Sequence, residues 1–191
     1  MTQTTDTRTQ ILDIAERLLQ QRGFNAFSYQ DIANELGIRK ASLHYHFPSK
    51  ADLGTALAER HANRALDALQ GVDQLNLNAW QQLDAFFKPF IDLAKSCDLM
   101  CVGGVMASEY STLPTPMQHR MDEFFAILHT WLTRVLRQGR ASGQLYFGAE
   151  PSVKADAIIA TLEGAILIAK TRKNADFIDP LIDDIKASLG G

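Results

Sequence analysis

Ser28-Tyr29-Gln30-Asp31-Ile32-Ala33-Asn34-Glu35-Leu36-Gly37-Ile38-Arg39-Lys40-Ala41-Ser42-Leu43-His44-Tyr45-His46-Phe47-Pro48-Ser49-Lys50 is the stretch on which the reading of the fold turns. Ser28 and Asp31 have the S-x-x-D form of a capping box. They open a short helix with Ile32, Ala33 and Leu36 on its inward side. Gly37 ends that helix, because glycine takes the left-handed backbone angle of a tight turn without steric cost. A second short helix, from about Arg39 to Phe47, is closed by Pro48. Ser49 to Asp52 repeats the capping pattern and starts a longer helix toward Leu69. Two short helices meeting at a glycine make a helix-turn-helix pattern, whose second element lies in a DNA major groove in proteins that read DNA.

The second helix carries the chemistry. Ile38 to Lys50 holds Arg39, Lys40 and Lys50 together with His44, Tyr45 and His46, and no acid. Residues 1–50 balance six Lys/Arg against five Asp/Glu, whereas residues 51–191 carry 13 and 17. A small basic island thus stands on an acidic chain of net charge −3. By itself such a cluster also suits a solvated helix face. In a helix-turn-helix, however, Arg39, Lys40, Ala41 and Ser42 fall where base edges are met. Arg and Lys donate to guanine, Ser donates or accepts, and a methyl group at 41 permits close approach. His44 and Tyr45 can reach phosphate oxygens. Lys50, with the free amides at its helix start, suits a phosphate clamp, as does Ser28.

Outward from this stretch, helical periodicity continues in both directions. Ile11, Ile14, Ala15, Leu18 and Leu19 form an amphipathic stripe that stops at Gly23. Trp80, Leu83, Phe87, Phe90 and Ala94 stripe a fifth helix, kinked at Pro89. A sixth spans Val102 to Ser111. A seventh opens at Thr115-Pro116 and frays near Gly139 and Gly143. An eighth opens at Pro151-Ser152, and a ninth runs from Asp176 to Leu189. No segment alternates with period two. The expected class is all-α, about nine helices, with a head over residues 1–50 and a helical body over 51–191.

Phe24-Asn25-Ala26-Phe27, the segment up to Ile38, and Lys40 through Leu53 closely resemble the DNA-binding signature of the TetR/AcrR family of transcriptional regulators. The resemblance covers about residues 6–55. It implies a head joined to a variable body that forms a homodimer and holds an inducer pocket. It also implies that Lys40, Ser42, Tyr45 and Lys50 occupy DNA-contacting positions, with operator DNA as the partner and repression as the usual outcome. His44 stands where the family usually has tyrosine, and Ala41 where glycine is common. Paired recognition helices must sit about 34–36 Å apart to enter successive major grooves. The helix beginning at Lys50 joins head to body and is the expected lever. Helices eight and nine are the expected dimer surface. Small Ala157, Ala160, Gly164, Ala165 and Ala169 would allow close approach there, although such a row also suits packing within one chain.

Two signals are in view for the body. Cys101-Val102-Gly103-Gly104-Val105-Met106-Ala107-Ser108-Glu109 resembles the cysteine-bearing segment of NemR-type repressors, which respond to electrophiles and oxidants. That resemblance implies Cys101 as reactive thiol and Lys170 as partner, an ammonium that raises the thiolate fraction. Cys97 could serve as a resolving thiol. Asp98-Leu99-Met100 depart from the pattern, which places glycine before the cysteine. The other signal is an apolar or aromatic effector held among helices five to eight. Its candidate walls are Phe86, Phe87, Phe90, Met106, Tyr110, Met121, Phe125, Trp131 and Ile166, although any one of them taken singly is better read as plain core.

Composition narrows the alternatives. Apolar residues at 46% and charged at 21% describe a globular chain. No apolar run approaches the roughly 20 residues of a membrane span, and no signal peptide is evident. Two cysteines are too few for a disulfide scaffold, which points to a cytoplasmic protein. No nucleophile–base pair, phosphate loop or metal-ligand spacing is present, so neither an enzyme nor a cofactor is expected. The remaining alternative is a helical small-molecule-binding or interaction protein without operator binding.

Overall fold

The computed structural model describes residues Asp6–Gly190. Every regular element among them is helical: α1 (Thr7–Arg22), α2 (Tyr29–Leu36), α3 (Lys40–His46), α4 (Lys50–Asp73), α5 (Ala79–Ser96), α6 (Val102–Ser108), α7 (Thr115–Ala141), α8 (Pro151–Arg172) and α9 (Asp179–Ala187). Short 3₁₀ turns lie at Tyr110–Thr112 and Ala175–Ile178. The all-α expectation holds, and α4 runs one turn further than its apolar stripe suggested.

The ninth helix differs from its expected Asp176–Leu189 span. Ala175–Ile178 is a 3₁₀ turn, and α9 begins at Asp179. Pro180 is the reason: it lacks an N–H and its ring would strike the carbonyl four residues back, so it sits with least cost in a first helical turn. α7 ends at Ala141, between Gly139 and Gly143 as expected, and a Cβ at Gly139 would meet the Leu145 side chain at 2.5 Å.

The chain divides into two compact units, and the cut does not follow the sequence order. The first takes residues up to Ala62 together with Val102–Glu123; the second takes Asn63–Cys101 together with the chain from Phe124 onward. In the first, α1 packs on α2 and on α6, and α2 on α3. Its core is Ile11, Leu19, Ile32, Leu43, Leu53 and Met106, all at or near zero exposure. In the second, α5 packs on α8, and both meet the Ala175–Ile178 turn. Its core includes Leu83, Phe86, Phe87, Leu132 and Ala169.

Candidate DNA interface and effector site

The geometry of α3 follows from its two ends. Gly37 has φ +67 and ψ 28, and no atom lies near its missing Cβ, so the backbone angle and not crowding calls for glycine. Asp31 caps α2 by accepting from the Ser28 N–H and hydroxyl, each at 2.7 Å. Those bonds hold its carboxyl below the usual range, aided by the Arg22 charge. At the other end Pro48 stops α3. Ser49 and Asp52 then form a reciprocal cap: the Ser49 N–H donates to the carboxylate at 2.9 Å, and the Asp52 N–H to the hydroxyl at 3.1 Å.

Tyr29 locks the two ends together. Its buried hydroxyl reaches the carbonyls of Phe47 and Ser49 at 2.9 and 2.6 Å. Burial, and secondarily the Asp52 charge, pushes its pKa up to about 12, so it stays a donor at any physiological pH. Sequence reading passed over Tyr29; an aromatic residue right after a capping serine was the available signal.

With Leu43 as its one buried residue, α3 turns the rest of its surface outward. Arg39, Lys40, Ala41, Ser42, His44 and Tyr45 are exposed, Tyr45 at 85%. The nearby acids are taken: Arg17 pairs with Glu35, and Arg22 lies 3.9 Å from Asp31. Arg39 and Lys40 have no acidic partner among the described residues. The other expected contacts are more committed. His44 Nδ1 lies 3.0 Å from the Pro48 carbonyl, and its ring is 4.9 Å from that of Tyr29. His46 is half-buried against Tyr45. The Ser28 hydroxyl donates to Asp31. Lys50 departs furthest from the exposed clamp expected of it. Its ammonium donates to the Phe27 carbonyl and lies over the Phe24 and Phe27 rings at 4.7 and 4.6 Å. Desolvation lowers its pKa, opposed by Glu109 and Asp31.

In the second unit a cavity of about 90 Å³ is lined by Ala65, Ala68, Leu69 and Val72 of α4, Ala85, Phe86, Pro89 and Phe90 of α5, and Leu128 of α7. Alanines at three-residue spacing leave the space, and no polar side chain enters it. Phe86 is held flat by Trp131, ring centroids 5.6 Å apart and 9° from parallel. Trp131 in turn donates to Asp73 at 2.9 Å, which also binds Arg134 at 2.6 Å. Of the expected walls, Phe86 and Phe90 line this space. Phe87, Trp131 and Ile166 are core of the second unit, and Met106 and Met121 are core of the first. Tyr110 is partly exposed with its hydroxyl on Asp122 at 3.0 Å, and Phe125 is half-buried.

Cys101 is buried, and no disulfide joins it to Cys97. Its thiol is hydrogen-bonded to Glu163, a carboxyl that burial pushes up to about 7 against the pull of that bond. Glu163 Oε1 has no hydrogen-bond partner. Lys170 Nζ donates to the Asp98 carbonyl at 2.9 Å. Glu163 was also missed from sequence, although it is the lone charged residue between Ala157 and Ala169.

Comparison with known proteins agrees with this geometry. Residues 11–57 match the family described as bacterial regulatory proteins, tetR family, and residues 79–183 match the tetracyclin repressor-like C-terminal domain. A TetR transcriptional regulator from Legionella pneumophila is 33% identical, with a TM-score of 0.89 over 99% of this chain and 100% of that one. Reduced NemR of E. coli is 25% identical, with a TM-score of 0.81 over 96% of this chain and 97% of that one. The regulator LmrA of Bacillus subtilis is 27% identical over 89% of each chain. A helix-turn-helix with an uncommitted basic face, followed by a matching helical body, leads to one conclusion: this chain belongs to the TetR family of transcriptional regulators.

Proposed function

We propose that this regulator binds a two-fold symmetric operator as a homodimer and represses transcription until an apolar small molecule occupies its body. The observation that carries the DNA half is the outward face of α3: Arg39 and Lys40 are charged, exposed and without acidic partners. Such cations favour phosphate and guanine edges, while Tyr45 and Ser42 supply further donors. Lys50 contributes by fastening the Phe27 carbonyl and the Phe24 and Phe27 rings more than by meeting DNA. Pairing uses α8, whose outer side carries Val153, Ala157, Ala160, Leu167 and Ile168 uncovered. No helix among the described residues is long and apolar enough to cross a membrane. We assign the chain to the cytoplasm and give it no catalytic role.

For the signal, the apolar cavity favours a small uncharged ligand. At about 90 Å³ it is below the roughly 150 Å³ of an engineered cavity that takes up benzene, so a larger effector must widen it. A second reading, electrophile sensing at Cys101 with Lys170, draws support from the likeness to NemR. The burial of Cys101 works against it, since reactive thiols are accessible to solvent.

Selection of bound fragments from a random duplex library tests the operator reading. Enrichment of a palindrome with half-sites one helical turn apart is expected, with affinity falling steeply as salt rises. A protein that stays a single chain and enriches no sequence at low salt would refute it. Repeating the selection with small aromatic compounds and with an oxidant separates the two signals. Release by the oxidant that persists in Cys101→Ser would remove the thiol reading.

A further inference from the structure

A carboxylate at the end of α6 grips backbone far from it in sequence. Glu109 accepts from the Phe24 N–H at 2.8 Å and from the Asn25 N–H at 3.3 Å. Close by, Asn25 Nδ2 donates to Thr112 Oγ1 at 2.9 Å. All of these residues lie in the first compact unit. The two amides follow directly on the end of α1 at Gly23. Gly23 has φ +93, and a Cβ there would lie 2.5 Å from Glu109 Oε1. The carboxylate comes this close only because position 23 carries no side chain. Three residues on, the Lys50 ammonium holds the Phe27 carbonyl and covers the Phe24 and Phe27 rings. The connection between α1 and α2 is thus fixed toward both ends by charge: an anion on the Phe24 and Asn25 amides and a cation on the Phe27 carbonyl.

We propose that Glu109 is a positioning residue for operator binding: by holding the α1–α2 connection it orients α2 and, across Gly37, the basic face of α3. The inference rests on the operator reading above. Glu109 acts here through backbone amides, which are satisfied by a charge-assisted bond stronger than a neutral one. Its effect also has a sign that simple electrostatics does not share. Deleting an acid from a protein that binds a polyanion should, by charge alone, tighten binding. Deleting a positioning group should loosen it.

The experiment uses the full chain and an operator fragment selected by the wild-type protein. Affinities of wild type, Glu109→Ala and Glu109→Gln are measured over a salt series, and amide hydrogen exchange is followed at Phe24 and Asn25. Glu109→Ala should weaken binding on the order of tenfold with an unchanged salt slope, and both amides should exchange faster. Glu109→Gln keeps one acceptor oxygen and should recover part of the loss. Affinity in Glu109→Ala equal to or tighter than wild type overturns the proposal, as does weaker binding with both amides still protected. Should Glu109→Ala fail to fold, Glu109→Gln and Thr112→Val decide, the latter cutting the Asn25 fastening together with the Thr112 hydroxyl's bond to the Glu109 carbonyl. Wild-type affinity in both overturns the idea. A wild-type protein that selects no DNA instead removes the operator reading, a result distinct from any of these.

Discussion

Helices α3 and α8 both leave side chains uncovered, but of opposite kinds. α3 buries Leu43 and turns Arg39, Lys40, Ser42 and Tyr45 outward, whereas α8 buries an apolar side and still leaves Val153, Leu167 and Ile168 exposed. An uncommitted cation in water waits for an anion. An apolar row loses roughly 25 cal/mol for every Å² it leaves wet, and waits for another apolar surface. On the proposed reading, different partners cover the two helices: a polyanion the first, a second copy the second. Even the acids differ in kind. Asp31 is held ionised by capping bonds, while burial pushes Glu163 toward its neutral form.

The contrast can be broken by exchanging characters. Placing charge on α8 with Leu167→Glu and Ile168→Glu should have the largest effect. The protein should sediment as a single chain, and operator affinity should fall by about 100-fold or more as the linkage between heads is lost. A variant that remains a dimer with wild-type affinity would move the pairing surface elsewhere.

Next in size is Glu163→Gln. The folded carboxyl titrates at about 7 instead of its ordinary 4.5, so the native state keeps a proton that the unfolded chain has already released. Wild-type stability therefore falls as pH rises through that window, and the penalty is complete above it. The substitution should add about 1–3 kcal/mol at pH 8 and little near pH 4, read by urea unfolding at both pH values. Equal changes at the two pH values would contradict a buried acid.

On the DNA side, Lys40→Ala should weaken operator binding about tenfold and reduce the slope of log affinity against log salt by about one. An unchanged slope would mean that the exposed ammonium meets no phosphate. Lys50→Ala should do the reverse. Losing the Phe27 hydrogen bond and two ring contacts should cost about 1 kcal/mol of stability, seen as a lower Tm, at an unchanged salt slope. A drop in slope with no drop in Tm would restore Lys50 to the phosphate clamp.

The head was legible because its signals are local. Ser28 with Asp31, Gly37, Pro48 and Ser49 with Asp52 each act within four residues, and the structure keeps all of them as caps, turn or stop. The body was legible as helices but less so as a site. Phe86 and Phe90 line its cavity, while Phe87 and Trp131 from the same expected wall are core. Helical periodicity says which side of a helix is apolar. It does not say where neighbouring alanines such as Ala65 and Ala68 leave a gap.

What the sequence alone determined is therefore the element order, the turn at Gly37 and the basic character of α3, since each depends on backbone preference or on residue type within one turn. Tertiary structure decided the rest: that Lys50 turns inward over two phenylalanine rings, that Glu109 reaches the amides of Phe24 and Asn25, and that Glu163 meets Cys101. Those pairings join residues tens of positions apart. Their strength comes from burial and approach distance, which no local pattern encodes.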